Sequence, residues 1–153
     1  ECAYNKVGDL YFDITKDCVF YPDAGAQKKY SDQIKSPLEL VGFKKRDFAT
    51  GRIKSLTVVG ENLIGGEELA GARVFIIDDL CSKGGTFLLA AEKLKAMGAG
   101  DIFLVVAHCE QTVYEGKIFT TDLISKVYTT DSMVRKNEED VVKISIHCIA
   151  DLI

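Results

Sequence analysis

Val74-Phe75-Ile76-Ile77-Asp78-Asp79-Leu80-Cys81-Ser82-Lys83-Gly84-Gly85-Thr86 decides the fold. Arg73 to Asp78 is a nearly continuous apolar run, the pattern of a strand buried on both faces of a parallel sheet. Two adjacent carboxylates follow, then a short loop ending in Gly-Gly-Thr, then an amphipathic stretch from Phe87. That order suits a phosphorylated sugar. Glycines let backbone N–H groups approach phosphate oxygens, and a helix N-terminus adds the positive end of its dipole. Asp78 and Asp79 can accept hydrogen bonds from ribose hydroxyls or help to hold a divalent metal.

Outward from this stretch, the spacing predicts a helix over Thr86 to Met97, with Leu88, Ala91 and Leu94 toward the sheet and Gly98 closing it. Asp101 to Ala107 reads as the next buried strand, and Lys126 to Thr129 and Lys143 to Ala150 as two more. Toward the N-terminus, Cys18 to Tyr21 is a strand broken by Pro22, and a helix is expected from Lys28 to Ile34, with Pro37 beyond its end. Leu38 to Phe43 is a strand followed by the basic run Lys44-Lys45-Arg46. Asp47 to Lys54 reads as a mobile loop, Ser55 to Val59 as a strand, and Gly65-Gly66 and Gly71 as turns. The β-α-β order with short glycine turns implies right-handed crossovers. The expected fold is α/β, three-layer, a mostly parallel twisted sheet with helices on both faces.

A chain of 153 residues is long enough for one domain with a proper core. Its formal charge of −4 argues against a nucleic-acid partner, and no apolar run approaches the ~20 residues that cross a bilayer. Five scattered cysteines (Cys2, Cys18, Cys81, Cys109 and Cys148) read as mostly buried free thiols in a reducing, cytoplasmic setting. The chain opens on Glu1, and its only methionines are Met97 and Met133. Residues 1–153 are therefore expected to be a single domain, the C-terminal part of a longer protein.

The Asp-Asp-x-x-x-x-Gly-Gly-Thr loop resembles the phosphoribosyl-pyrophosphate motif of the type I phosphoribosyltransferase fold. Pro22-Asp23-Ala24-Gly25 and Lys44-Lys45-Arg46 resemble the Pro-Asp-x-Gly and Lys-x-Arg segments of ribose-phosphate pyrophosphokinases, and Ala107-His108 and Thr129-Thr130-Asp131 resemble two weaker signatures of that family. The resemblance runs from about Val19 to the end of the chain, in the order of that family's C-terminal half. It implies transfer of diphosphate from ATP to ribose 5-phosphate, giving phosphoribosyl pyrophosphate and AMP, with Mg²⁺ as cofactor and a homo-oligomer as the full-length assembly. It also implies roles. Asp78 and Asp79 would bind the ribose hydroxyls, and Ser82, Lys83, Gly84, Gly85 and Thr86 would cradle the 5-phosphate. Lys44 would stabilise the transferring diphosphate, Arg46 would hold phosphorylated substrate, and Asp23 would be a metal ligand.

At Ser82-Lys83 the family reads Asp-Thr, so a carboxylate is lost and a cation gained beside the phosphate. Two alternatives stay open. One is a phosphoribosyltransferase with a nucleobase or amide acceptor, and the other is a catalytically silent phosphoribosyl-binding or regulatory domain. His108 lies at a strand end where ligands gather, a position a structural histidine also takes. His147 lies within an apolar strand and reads as structural, and no base neighbours Cys81 in the sequence to make it a nucleophile.

Overall fold

Alternation along the strands builds a sheet with two apolar faces. The computed structural model describes residues 4–7, 10–13, 15–36, 38–60, 69–137 and 142–148. Strands β1 (Tyr4–Val7) and β2 (Leu10–Asp13) form a separate antiparallel pair. The main sheet contains β3 (Cys18–Tyr21), β4 (Leu38–Arg46), β5 (Ile53–Gly60), β6 (Val74–Cys81), β7 (Ile102–Cys109), β8 (Lys126–Thr130) and β9 (Ile144–His147). Their spatial order is β5-β4-β3-β6-β7-β8-β9, parallel throughout except for the edge strand β5.

Cys18, Phe20, Val74, Ile76, Ile102 and Leu104 face helix α2 (Gly85–Ala96), which buries Phe87, Ala90, Ala91 and Leu94 against them. Val19, Tyr21, Phe75 and Ile77 point the other way, toward Ala26 of helix α1 (Ala24–Tyr30). The three layers expected from the sequence are present.

Local differences have local causes. Helix α1 begins four residues before the expected Lys28 because Asp23 caps it, its Oδ1 accepting from the Ala26 N–H at 3.0 Å. Lys44-Lys45-Arg46 does not follow β4 but is its last part, because β4 continues into an antiparallel hairpin with β5. The expected 47–54 loop contracts to a turn. Asp47 accepts from the Ala49 and Thr50 N–H groups at 3.0 and 2.9 Å, Gly51 takes φ 68°, and β5 starts at Ile53 instead of Ser55. Strand β9 covers Ile144–His147 rather than the expected 143–150, of which 149 and 150, like Gly65-Gly66, Pro37 and Cys2, lie outside the described residues. Helix α2 ends as expected at Gly98 (φ 91°). The Gly98 N–H donates to the Lys95 carbonyl and the Ala99 N–H to that of Leu94, a Schellman closure.

One buried charge ties the layers at the N-terminal edge of the sheet. Asp17, 3% exposed, accepts from the Arg73 Nε at 3.0 Å and from the Asp13 N–H at 2.6 Å. Arg73→Ala would leave that carboxylate buried beside an empty position. We expect a loss of about 2 kcal/mol in urea unfolding, below the 3–5 of a fully buried pair because Arg73 is partly exposed. Unfolding free energies equal to those of the unmutated protein would refute this.

Candidate functional site

The carboxylate pair sits near the C-terminal end of β6, beyond its pairing with β3 but still within the β6–β7 ladder, and strand geometry separates its two members. Asp78 turns toward the loop and Asp79 toward α1. Asp79 accepts both from the Lys29 Nζ, at 2.7 Å to each oxygen, and from the Tyr30 hydroxyl. These bonds, Lys29 foremost, hold its carboxyl below the usual range. Asp78 is half-buried and goes the other way. Burial pushes its pKa up against the Asp79 backbone N–H, which donates to it at 2.8 Å, and the Asp23 carboxylate pushes in the same direction while Lys44 pulls down.

Beyond Asp78 the loop turns on Gly84, which adopts φ 81° as the N-cap of α2. A Cβ at Gly84 would lie 2.0 Å from Ile118 Cδ1, and one at Gly116 would lie 2.0 Å from the Lys83 carbonyl oxygen. The segment Gln111–Thr120, with its two 3-10 turns, therefore packs directly on the loop. The first intrahelical bond of α2 runs from the Leu88 N–H to the Gly84 carbonyl. Helix geometry leaves the N–H groups of the first turn without intrahelical partners, and these are suited to an anion.

A cavity of about 580 Å³ opens there, lined by Lys44, Asp78, Ser82, Lys83, Gly84, Gly85 and Thr86 together with Leu80, Phe87, Glu110 and Thr112. Seven of the ten sequence-derived candidates thus share one cavity. The other three do not line it. Asp23 stands close by, 3.9 Å from the Lys44 Nζ, with its other oxygen used in capping. Asp79 is engaged by α1. Arg46 departs because the register of β4 shifts between Lys45 and Arg46, and its guanidinium donates to the Gly51 carbonyl at 3.1 Å.

Glu110, Thr112, Lys29 and Tyr30 were not legible as site residues. Glu110 and Thr112 lie more than twenty residues beyond the loop and join it through the parallel crossover, the Glu110 N–H donating to the Cys81 carbonyl at 2.8 Å. The loop cation is already partnered: the Lys83 Nζ lies 3.1 Å from Glu115. His108 is exposed at the end of β7, its Nδ1 2.7 Å from the Ser132 hydroxyl, and the His147 ring lies parallel to Tyr128 with centroids 6.4 Å apart.

Asp78 gives a pH-dependent prediction. A carboxyl whose folded pKa lies above its unfolded value opposes folding once the pH has risen through the carboxylate range, and has no effect below it. Asp78→Asn should therefore raise the melting temperature of the unliganded protein at pH 7, and the gain should disappear below about pH 4. A gain that persists at low pH, or a loss at pH 7, would contradict this sign.

Among the described residues no group of three or more His, Cys, Asp or Glu side chains could hold a metal ion. Asp78 and Asp23 lie near enough for the charge of Asp23 to act on Asp78, and a hard cation held partly by a ligand's phosphates needs only one or two protein carboxylates. No helix of the described residues is long and apolar enough to cross a membrane.

No family model matches the chain. It is similar to curated ribose-phosphate pyrophosphokinases. That of Pyrococcus abyssi is 30% identical over 128 residues, covering 84% of this chain and 41% of the relative. That of Bradyrhizobium diazoefficiens is 28% identical over 126 residues, covering 80% and 37%. The chain thus spans about two fifths of the length of these relatives. Among solved structures, phosphoribosylpyrophosphate synthetase from Mycobacterium smegmatis superposes with a TM-score of 0.64 at 19% identity, over 90% of this chain and 42% of that one. The fold is the type I phosphoribosyltransferase-like α/β fold.

Proposed function

We propose that this phosphoribosyltransferase-like domain binds ribose 5-phosphate and serves in transfer of diphosphate from ATP to it, a reading supported by its similarity to curated ribose-phosphate pyrophosphokinases. The observation that carries the reading is the convergence of Lys44 from β4 and Asp78 from β6 on the cavity formed by the Ser82–Thr86 loop. Backbone N–H groups of the loop and of the first turn of α2 would hold the 5-phosphate, and Asp78 would accept from a ribose hydroxyl. The anomeric hydroxyl oxygen then attacks the β-phosphorus of ATP. The bond from that phosphorus to the α,β-bridging oxygen breaks, AMP leaves with the bridging oxygen, and the hydroxyl proton passes to solvent. Lys44 would neutralise charge on the moving diphosphate, the largest demand in such a transfer. Bound magnesium, held at Asp78 and Asp23 and by the phosphates, would supply further charge neutralisation.

A second reading, a silent phosphoribosyl-binding domain, is favoured by the Arg46 guanidinium resting on the hairpin turn and by Lys83 paired to Glu115. One assay separates the readings. The full-length protein is incubated with ribose 5-phosphate, ATP and Mg²⁺, and AMP is followed by chromatography. AMP formed in proportion to ribose 5-phosphate consumed supports the transfer. Ribose 5-phosphate binding without AMP supports the silent domain, and pyrophosphate released from phosphoribosyl pyrophosphate on adding a nucleobase overturns both.

A further inference from the structure

Cys81 and Cys109 end neighbouring strands and are register partners in the parallel β6–β7 ladder. Adjacent strands lie about 4.8 Å apart, inside the roughly 4.4–6.8 Å Cα separation that a disulfide spans. Both side chains are fully buried, both belong to the core beneath α2, and neither is used by the proposed chemistry. Each sulfur rests on the first carbonyl of the loop its strand feeds: Cys81 Sγ is 3.4 Å from the Ser82 oxygen and Cys109 Sγ 3.8 Å from the Glu110 oxygen. Cys81 Sγ is also 3.7 Å from where a Cβ on Gly84 would lie, so the phosphate-type loop packs on this thiol.

We propose that Cys81 and Cys109 are a reversible disulfide site, closed by a small hydroperoxide, whose closure reshapes the Ser82–Thr86 loop. The neighbouring Cys81 thiol favours the thiolate at Cys109, whereas Cys109 and burial together disfavour it at Cys81. Cys109 therefore attacks first. Its sulfur takes one oxygen of hydrogen peroxide as sulfenic acid, and the other oxygen leaves as hydroxide and is protonated to water. The Cys81 sulfur then displaces hydroxide from that sulfenic acid, the two thiol protons end in the two waters, and the disulfide remains. Closure removes both thiol contacts with the Ser82 and Glu110 carbonyls and draws Cys81 Sγ away from Gly84. The inference is independent of which ligand the loop holds.

The test treats the native chain bearing Cys148→Ser with hydrogen peroxide, quenches with an alkylating agent and maps tryptic peptides without reduction. The expected result is the peptide ending at Lys83 joined to the one containing Cys109, lighter by two hydrogens than the pair and separated by dithiothreitol. Amides 82–86 should exchange hydrogen about tenfold faster in the oxidised protein. In Cys81→Ser, Cys109 should instead be trapped as sulfenic acid by dimedone. The proposal is overturned if both thiols remain alkylatable after oxidation, if the link forms only in unfolded protein, or if loop exchange is unchanged once the link has formed.

Discussion

Gly84→Ala should lower the melting temperature by roughly 10 °C, taking about 2–4 °C per kcal/mol for a domain of this size. Two costs combine. A non-glycine residue at φ 81° gives up about 1–2 kcal/mol to the left-handed backbone. Its Cβ would also stand 2.0 Å from Ile118 Cδ1 and 2.6 Å from Cγ1. Ile118 is 1% exposed, so it can move only by disturbing the core, and overpacking of this kind costs typically 1–3 kcal/mol. Gly84→Ala with Ile118→Ala separates the two, since trimming Ile118 relieves the clash and leaves the backbone cost. The double variant should lose less than the summed losses of the single variants, a coupling measurable by thermal melts. Strict additivity would show that the methyl finds room elsewhere.

Lys44→Ala should reduce turnover of the full-length protein by about a hundredfold or more while leaving its circular dichroism unchanged, the scale seen when one preorganised charge is removed from a transferring group. The side chain is mostly shielded at 16% exposure, so its charge acts through less solvent than that of a surface lysine. It lies 3.9 Å from Asp23 and its charge opposes the upward shift of the Asp78 carboxyl. Its loss would leave the mutual repulsion of the Asp23 and Asp78 carboxylates without that opposing charge. Ligand affinity should fall less than turnover, because the proposed site would hold ground-state phosphate chiefly through the loop. Equal losses in KM and kcat, or turnover unchanged, would remove Lys44 from the transfer step.

Legibility followed range. The β6 strand, the loop and helix α2 are contiguous, and each local signal agreed with the next: apolar run, paired acids, glycines, amphipathic helix. Signals that depend on one residue's neighbours slipped. Helix α1 starts four residues before the expected Lys28 because one side chain, Asp23, caps it, and the basic run belongs to β4 because its hairpin partner β5 extends that strand. The packing partners of the loop were invisible. Gly116 carries no motif, yet its bare Cα is what lets the Lys83 carbonyl approach.

By itself the sequence determined the α/β class, the buried parallel strand and the position of the glycine turn that opens helix α2, because hydrophobic period and glycine placement act over a few residues. It also brought Lys44 and Asp78 onto one list. Only the tertiary structure decided that these two meet at one cavity while Arg46 and Asp79 are held elsewhere. Those outcomes rest on a register shift within β4 and on which face of the sheet each carboxylate takes. Both are set by pairing between strands far apart in the chain, which no local pattern encodes.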